Sequence, residues 1–78
     1  MNNILITGTA GFVGFHLAKL LLKKGYKVHG YDGITDYYDK KLKYDRLKIL
    51  QKNSSFSQTE GMLEDYNKIN NVVDEFQP

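Results

Sequence analysis

Three glycines spaced by three, Gly8, Gly11 and Gly14, stand between an apolar run (Ile4, Leu5, Ile6, Thr7) and a helical pattern that begins at Val13. An acid, Asp32, follows eighteen positions after the last of them, at the end of a second apolar stretch. Residues of these types at this spacing suit the holding of a dinucleotide. Glycine permits a tight strand-to-helix turn, lets backbone N–H groups approach a pyrophosphate, and lets the helix lie close on the strand. The helix N-terminus adds positive potential for the phosphates. Asp32 is placed to accept hydrogen bonds from the adenosine ribose hydroxyls. A helix start that needs glycine only for packing would account for Gly14, but not for three glycines together with Asp32. A Walker-type phosphate loop is excluded, because Gly14 is followed by Phe15 and His16 rather than by Lys and Ser or Thr. Asp32 also repels a 2'-phosphate, and Gly33 and Ile34 bring no cation to bind one. The expected cofactor is therefore NAD rather than NADP.

The elements that must position these residues are legible in the hydrophobic pattern. Residues 4–7 form a short, β-favouring run, as in a parallel strand buried on both faces. From Val13 the apolar positions Val13, Leu17, Leu20 and Leu21 recur with helical spacing, and Gly25 offers a left-handed stop; the reading is a helix over 12–24 with that stripe inward. Residues 27–31 form a second strand, and the polar stretch 32–39 forms a loop at its carboxyl end, where ligands of open α/β sheets bind. A second helix over 40–52 carries Leu42, Leu47, Ile49 and Leu50 in an imperfect stripe. Residues 56–60 form a third strand, and Asp65 can cap a third helix with Tyr66, Ile69, Val72, Val73 and Phe76 on one side. The order βαβαβα predicts an α/β chain whose three parallel strands lie in the order 3-2-1 with crossover helices, the N-terminal half of a Rossmann fold.

A doubly wound dinucleotide fold has about six strands, so 78 residues supply about half of one, and the expectation is a single partial domain over 1–78 that stops before a fourth strand. In that strand order the first strand pairs with the fourth, which leaves one edge of residues 4–7 open to a second copy or to further chain. A homo-oligomer through this edge is expected. The formal charge of +2 is too small to argue for nucleic acid, and the basic residues between Lys40 and Lys52 read as a solvated helix face. No cysteine is present, so neither a disulfide framework nor a thiolate metal site is possible. The glycines interrupt the first apolar run long before the roughly 20 residues of a membrane span, and the default expectation is a cytoplasmic protein with no membrane partner. His16 and His29 lack partners at metal-ligand spacing and read as structural.

The run from Thr7 to Gly14 resembles the TGxxGFxG signature of extended short-chain dehydrogenases/reductases, the nucleotide-sugar epimerases and dehydratases. The residues from Asp32 through Asp36, Tyr37, Tyr38 and Asp39 to Leu42, Lys43, Arg46 and Leu47 are similar to the run DNxNDYYDxxLKxxRL of UDP-glucuronate 4-epimerases, with Gly33 and Thr35 where that family usually has asparagines. The resemblance assigns Gly8, Gly11, Phe12, Val13 and Gly14 to the pyrophosphate turn, Asp32 to the adenosine ribose, and Gly33 and Thr35 to the same ribose or the adenine. Where the family often has an acid followed by Leu or Ile at the adenine, this chain has Met62 and Leu63, which keeps Leu63 as an apolar adenine contact and removes the carboxylate.

The function implied is the NAD-binding segment of a nucleotide-sugar epimerase, with a UDP-sugar as partner of the whole enzyme. A 4,6-dehydratase or reductase of the same superfamily is the nearest alternative. A non-catalytic nucleotide-binding or assembly module is the alternative from another class. The family's catalytic Tyr-x-x-x-Lys pair lies on a later helix. Tyr37 with Lys41 and Tyr44 with Lys48 match that spacing but follow the second strand, so both are read as non-catalytic and no catalytic residue is assigned.

Overall fold

The computed structural model describes residues 3–33, 40–62 and 64–78. Strand β1 (Asn3–Thr7) runs through the glycine turn into α1 (Phe12–Lys23), followed by β2 (Lys27–Asp32), α2 (Lys40–Gln51), β3 (Phe56–Glu60) and α3 (Tyr66–Phe76). The strands and helices expected from the sequence all form, with bounds shifted by no more than a residue wherever a range was expected, while most of the loop expected over 32–39 lies outside the described residues. The strands pair in parallel in the order β1-β2-β3, with Thr7 opposite Tyr31 and Asp32 opposite Glu60. Parallel neighbours require crossovers longer than a hairpin, which α1 and α2 provide. Among the described residues β1 has β2 as its only strand partner, so the expected edge is present.

Strand alternation divides the packing between two faces. On one, Ile6, Val28 and Phe56 meet Phe15, Ala18 and Leu22 of α1 and Leu47 and Leu50 of α2 in a single core. On the other, α3 lies against the sheet. The Asn3 side-chain amide donates to the Phe76 carbonyl at 3.0 Å, and the Phe76 ring tilts over His29 with centroids 5.2 Å apart. Asp65 caps α3 as expected, its carboxylate accepting the Lys68 amide at 3.2 Å. Gly25 closes α1 at φ +94°, a left-handed conformation that glycine adopts without steric cost.

The burial differs from the expected pattern in all three helices and in β1. The stripe Val13, Leu17, Leu20 and Leu21 does not face the sheet. Phe15, Ala18 and Leu22 do, Leu21 is half-buried, and Val13 is 76% exposed. The cause is Gly14: a β-carbon there would overlap the Gly8 carbonyl, its carbon only 2.8 Å away. The face bearing Gly14 must therefore meet the strand, and Ala18 and Leu22 follow it at i+4 and i+8. In α2, Leu47 and Leu50 are buried while Leu42 and Ile49 are exposed, and in α3 Tyr66 and Val73 are exposed beside buried Val72. Strand β1 is not buried on both faces. Only Ile6 is fully enclosed, because the strand sits at an edge and α3 covers its second face only in part.

Gly30, in the middle of β2, faces the α1/α2 side. A side chain there would run into the Thr9 methyl and hydroxyl groups and the Gln58 amide. Gly30→Ala is expected to destabilise the protein by about 3 kcal/mol, at the upper end of overpacking costs. A urea unfolding midpoint indistinguishable from the unsubstituted protein would refute this account of the site.

His29 is held on the opposite face by two hydroxyls, Nδ1 to Ser57 Oγ at 2.6 Å and Nε2 to Thr59 Oγ1 at 2.8 Å. Burial lowers its pKa from the ordinary value, and the Glu75 carboxylate opposes that shift only in part. The unfolded chain, with histidine near about 6.5, therefore binds the proton more readily than the folded one. The contribution of His29 to stability is complete above that value and falls as the pH drops through the interval down to the lower folded pKa. Thermal midpoints should decline across this interval, and His29→Gln should remove that part of the decline. An equal decline in the variant would show that another group is responsible.

Candidate functional site

The turn between β1 and α1 is built from groups whose hydrogen bonds are nearly all committed to the fold. Gly8 stands at φ +75°, where glycine alone is unstrained, and its amide donates to the Tyr31 carbonyl at 2.8 Å, extending the β1–β2 ladder by one bond. The Gly11 amide donates to the Gly8 carbonyl at 3.0 Å and closes the turn. Thr9 is fully buried, and its hydroxyl donates to the Gln58 side-chain carbonyl at 2.9 Å. The turn is thereby tied across β2 to β3, over the space that Gly30 leaves.

Ala10 is held from two directions. Its amide donates to Asp32 Oδ2 at 2.9 Å, and its carbonyl accepts from Arg46 Nη1 of α2 at 2.9 Å. Asp32 is 8% exposed and ends β2, so the strand delivers its carboxylate to the flank of the turn. A carboxylate accepting a backbone N–H is a charge-assisted bond, stronger than its neutral counterpart.

The three glycines carry different tasks. Gly8 supplies the left-handed backbone, and Gly14 supplies the contact between helix and strand. Gly11 has an ordinary extended conformation (φ −76°, ψ 170°), and a β-carbon on it would meet only the Gly8 carbonyl oxygen, at 3.3 Å. That contact is tight, but the overlap at Gly14 is much closer, so the fold requires glycine more strictly at Gly14 than at Gly11. Gly11 is also the N-cap of α1 and offers no side chain to the helix amides, and the first turn holds no acid. The Phe15 amide reaches the Gly11 carbonyl at 3.0 Å, which leaves the Phe12, Val13 and Gly14 amides ahead of the first intrahelical acceptor, at the positive end of the dipole. A helix terminus of this kind, with glycine at its N-cap and no acid in its first turn, fits a diphosphate.

Of the residues expected at the site, Gly8, Gly11, Phe12, Val13 and Gly14 form one turn, with Asp32 beside it and Gly33 next along the chain. Phe12 and Val13 present their amides, while their side chains are exposed. Thr35 and Leu63 lie outside the described residues, as does Tyr37. The Tyr44 hydroxyl donates to Glu60 at 3.0 Å, and that bond, foremost, pushes the phenol above its ordinary pKa, away from the tyrosinate a proton-abstracting role would need. No cluster of metal-ligating side chains occurs among the described residues, nor does any described helix have the length and apolarity to cross a membrane.

Thr9, Gln58 and Arg46 were not identified from the sequence. For Arg46 a signal existed. Lys43, Arg46, Leu47 and Leu50 fall at i, i+3, i+4 and i+7, so the inward stripe of α2 is continued by two cations toward the turn. Reading the basic residues of α2 as one solvated face is corrected here: Lys43 and Arg46 are half-buried.

Comparison with known proteins agrees with this geometry. Residues 5–78 match the GDP-mannose 4,6 dehydratase family. The chain is 56% identical over 61 residues to a probable UDP-glucuronate 4-epimerase of Rhizobium meliloti, covering 78% of this chain and 18% of that protein. It is 51% identical over 75 residues to protein CapI of Staphylococcus aureus, covering 96% of this chain and 22% of that one. The crystal structure of UDP-glucuronic acid 4-epimerase from Bacillus cereus with UDP-glucuronic acid and NAD superposes with a TM-score of 0.82 at 31% identity, over 95% of this chain and 24% of that one. The chain thus spans about a fifth of the length of the curated relatives it matches. With its glycine turn, its parallel sheet and residues 5–78 all matched, the chain belongs to the GDP-mannose 4,6 dehydratase family of extended short-chain dehydrogenases/reductases.

Proposed function

We propose that residues 1–78 are the NAD-binding N-terminal part of a nucleotide-sugar epimerase acting on UDP-glucuronate in polysaccharide synthesis. The observation that carries the cofactor reading is the Asp32 carboxylate fixed against the glycine turn by the Ala10 amide. It sets an acid suited to ribose hydroxyls beside a helix terminus suited to a diphosphate, which supports this reading. The substrate reading is supported by the 56% and 51% identities to the two relatives above and by the Asp32 to Leu47 run. NAD supplies a hydride acceptor that can return the hydride to the opposite face of the sugar. The part of this chain is to bind and orient the adenosine diphosphate half. On this reading the catalytic tyrosine and lysine belong to the remainder of the enzyme, and the open edge of β1 is covered by that remainder or by a second copy.

The assay is direct. The whole enzyme, supplied with UDP-glucuronate and NAD, should form the 4-epimer with no net change in NADH absorbance. Consumption of a 6-hydroxylated nucleotide sugar with loss of water, and none of UDP-glucuronate, would favour the dehydratase instead.

The division of labour among the glycines predicts separable effects. Gly11→Ala should lower the unfolding midpoint less than Gly14→Ala does, and weaken NAD binding by about tenfold or more, since its methyl group would project toward the pyrophosphate. Gly14→Ala should lower the midpoint in the absence of any ligand. Calorimetric titration and thermal unfolding of both variants check this, and equal behaviour of the two would reject the assignment.

Asp32→Asn keeps an acceptor for the Ala10 amide while removing the charge. Loss of a hydrogen bond to a charged group is typically worth about 1.5–3 kcal/mol, so NAD affinity should fall by roughly tenfold or more while NADP affinity falls less or rises. An unchanged ratio of the two dissociation constants would remove Asp32 from the ribose site.

A further inference from the structure

We infer that Arg46 is a positioning residue for the pyrophosphate turn, a role that rests on the dinucleotide reading of the site. Its guanidinium comes from α2, thirty-six positions along the chain, and meets the Ala10 carbonyl at 2.9 Å. Ala10 is fully buried, so its carbonyl needs a donor from the protein, and leaving it without one is costly. The peptide that Arg46 grips is the one joining Ala10 to Gly11, and its amide end is tied to the Gly8 carbonyl at 3.0 Å. Both ends of that peptide plane are therefore fixed. The preceding peptide is fixed by Asp32 through the Ala10 amide. Two opposite charges from different elements thus hold consecutive peptides, immediately before the Phe12, Val13 and Gly14 amides that face an anion.

The arrangement has an electrostatic consequence as well. The first turn of α1 has no acidic residue, and Arg46 offsets the Asp32 carboxylate across Ala10, so a diphosphate meets the helix dipole without an unbalanced negative charge beside it. A lysine placed there could donate to the same carbonyl but would do so as a flexible point charge, without the planar guanidinium that keeps the donor in one orientation.

The test uses the intact protein with NAD as the probe and three forms, unsubstituted, Arg46→Lys and Arg46→Met. Arg46→Met should raise the NAD dissociation constant by about tenfold, the scale expected for a hydrogen bond to a charged group, and Arg46→Lys should recover part of that loss. Without ligand, amide hydrogen exchange should quicken across residues 8–15 in Arg46→Met and stay unchanged across residues 28–31 in the core of β2. If exchange in residues 8–15 is unaltered, or if it quickens equally in both segments, Arg46 does not position the turn. If the unsubstituted protein fails to bind NAD, the dinucleotide reading falls, and the ligand-free exchange experiment still decides whether Arg46 holds the turn.

Discussion

The contact between Gly14 of α1 and the carbonyl of Gly8 sets the arrangement of the rest of the molecule. It brings the helix closer to β1 than any residue with a β-carbon would permit, and it sets the rotation of the helix about its axis. Phe15, Ala18 and Leu22 are consequently the residues that enter the core with Ile6, Val28 and Phe56. The same contact aims the start of α1 at the carboxyl end of the sheet, so that the helix amides, the turn and Asp32 converge. One close approach therefore serves packing and site geometry together, and neither can be altered without the other.

Around that contact the turn is held chiefly by polar groups from elsewhere in the chain. Thr9 is bound by Gln58 of β3, Ala10 by Asp32 of β2 and Arg46 of α2, and Gly8 by the backbone of Tyr31. Each of these bonds satisfies a buried or half-buried group that would otherwise be left without water, which is the costly alternative. Among the described residues, the amides at the start of α1 stand ahead of the first intrahelical acceptor and are the groups the proposed diphosphate would use. Rigidity in the turn and openness in the helix terminus are two results of one hydrogen-bonding pattern, and preorganised donors of this sort lose little freedom when an anion arrives.

The two faces of the sheet are stabilised differently. The α1/α2 face buries aliphatic and aromatic side chains in a continuous core. The α3 face depends more on polar contacts, with His29 bridged to Ser57 and Thr59 and Asn3 bonded to the end of α3. The exposed apolar residues Val13, Leu17 and Leu20 lie on the outer side of α1, and β1 has one unpaired edge among the described residues. Both features accord with a chain that spans about a fifth of its relatives' length.

The order of the strands and helices, the bounds of all but the last helix, and the parallel 3-2-1 sheet were determined by the sequence, because each rests on local chemistry: strand-favouring runs, helical spacing and glycine at a left-handed turn. Which helix face is buried was not legible, since hydrophobicity weighted Val13, Leu17 and Leu20 while the contact at Gly14 selected Phe15, Ala18 and Leu22. Nor could spacing disclose that Thr9 would reach Gln58, that Gly30 would be needed to let it pass, or that Arg46 would hold Ala10. Those two bonds join residues 49 and 36 positions apart. Only the superposition of turn, sheet and second helix brings such groups within 3 Å, and a hydrogen bond depends on that distance and direction rather than on order along the chain.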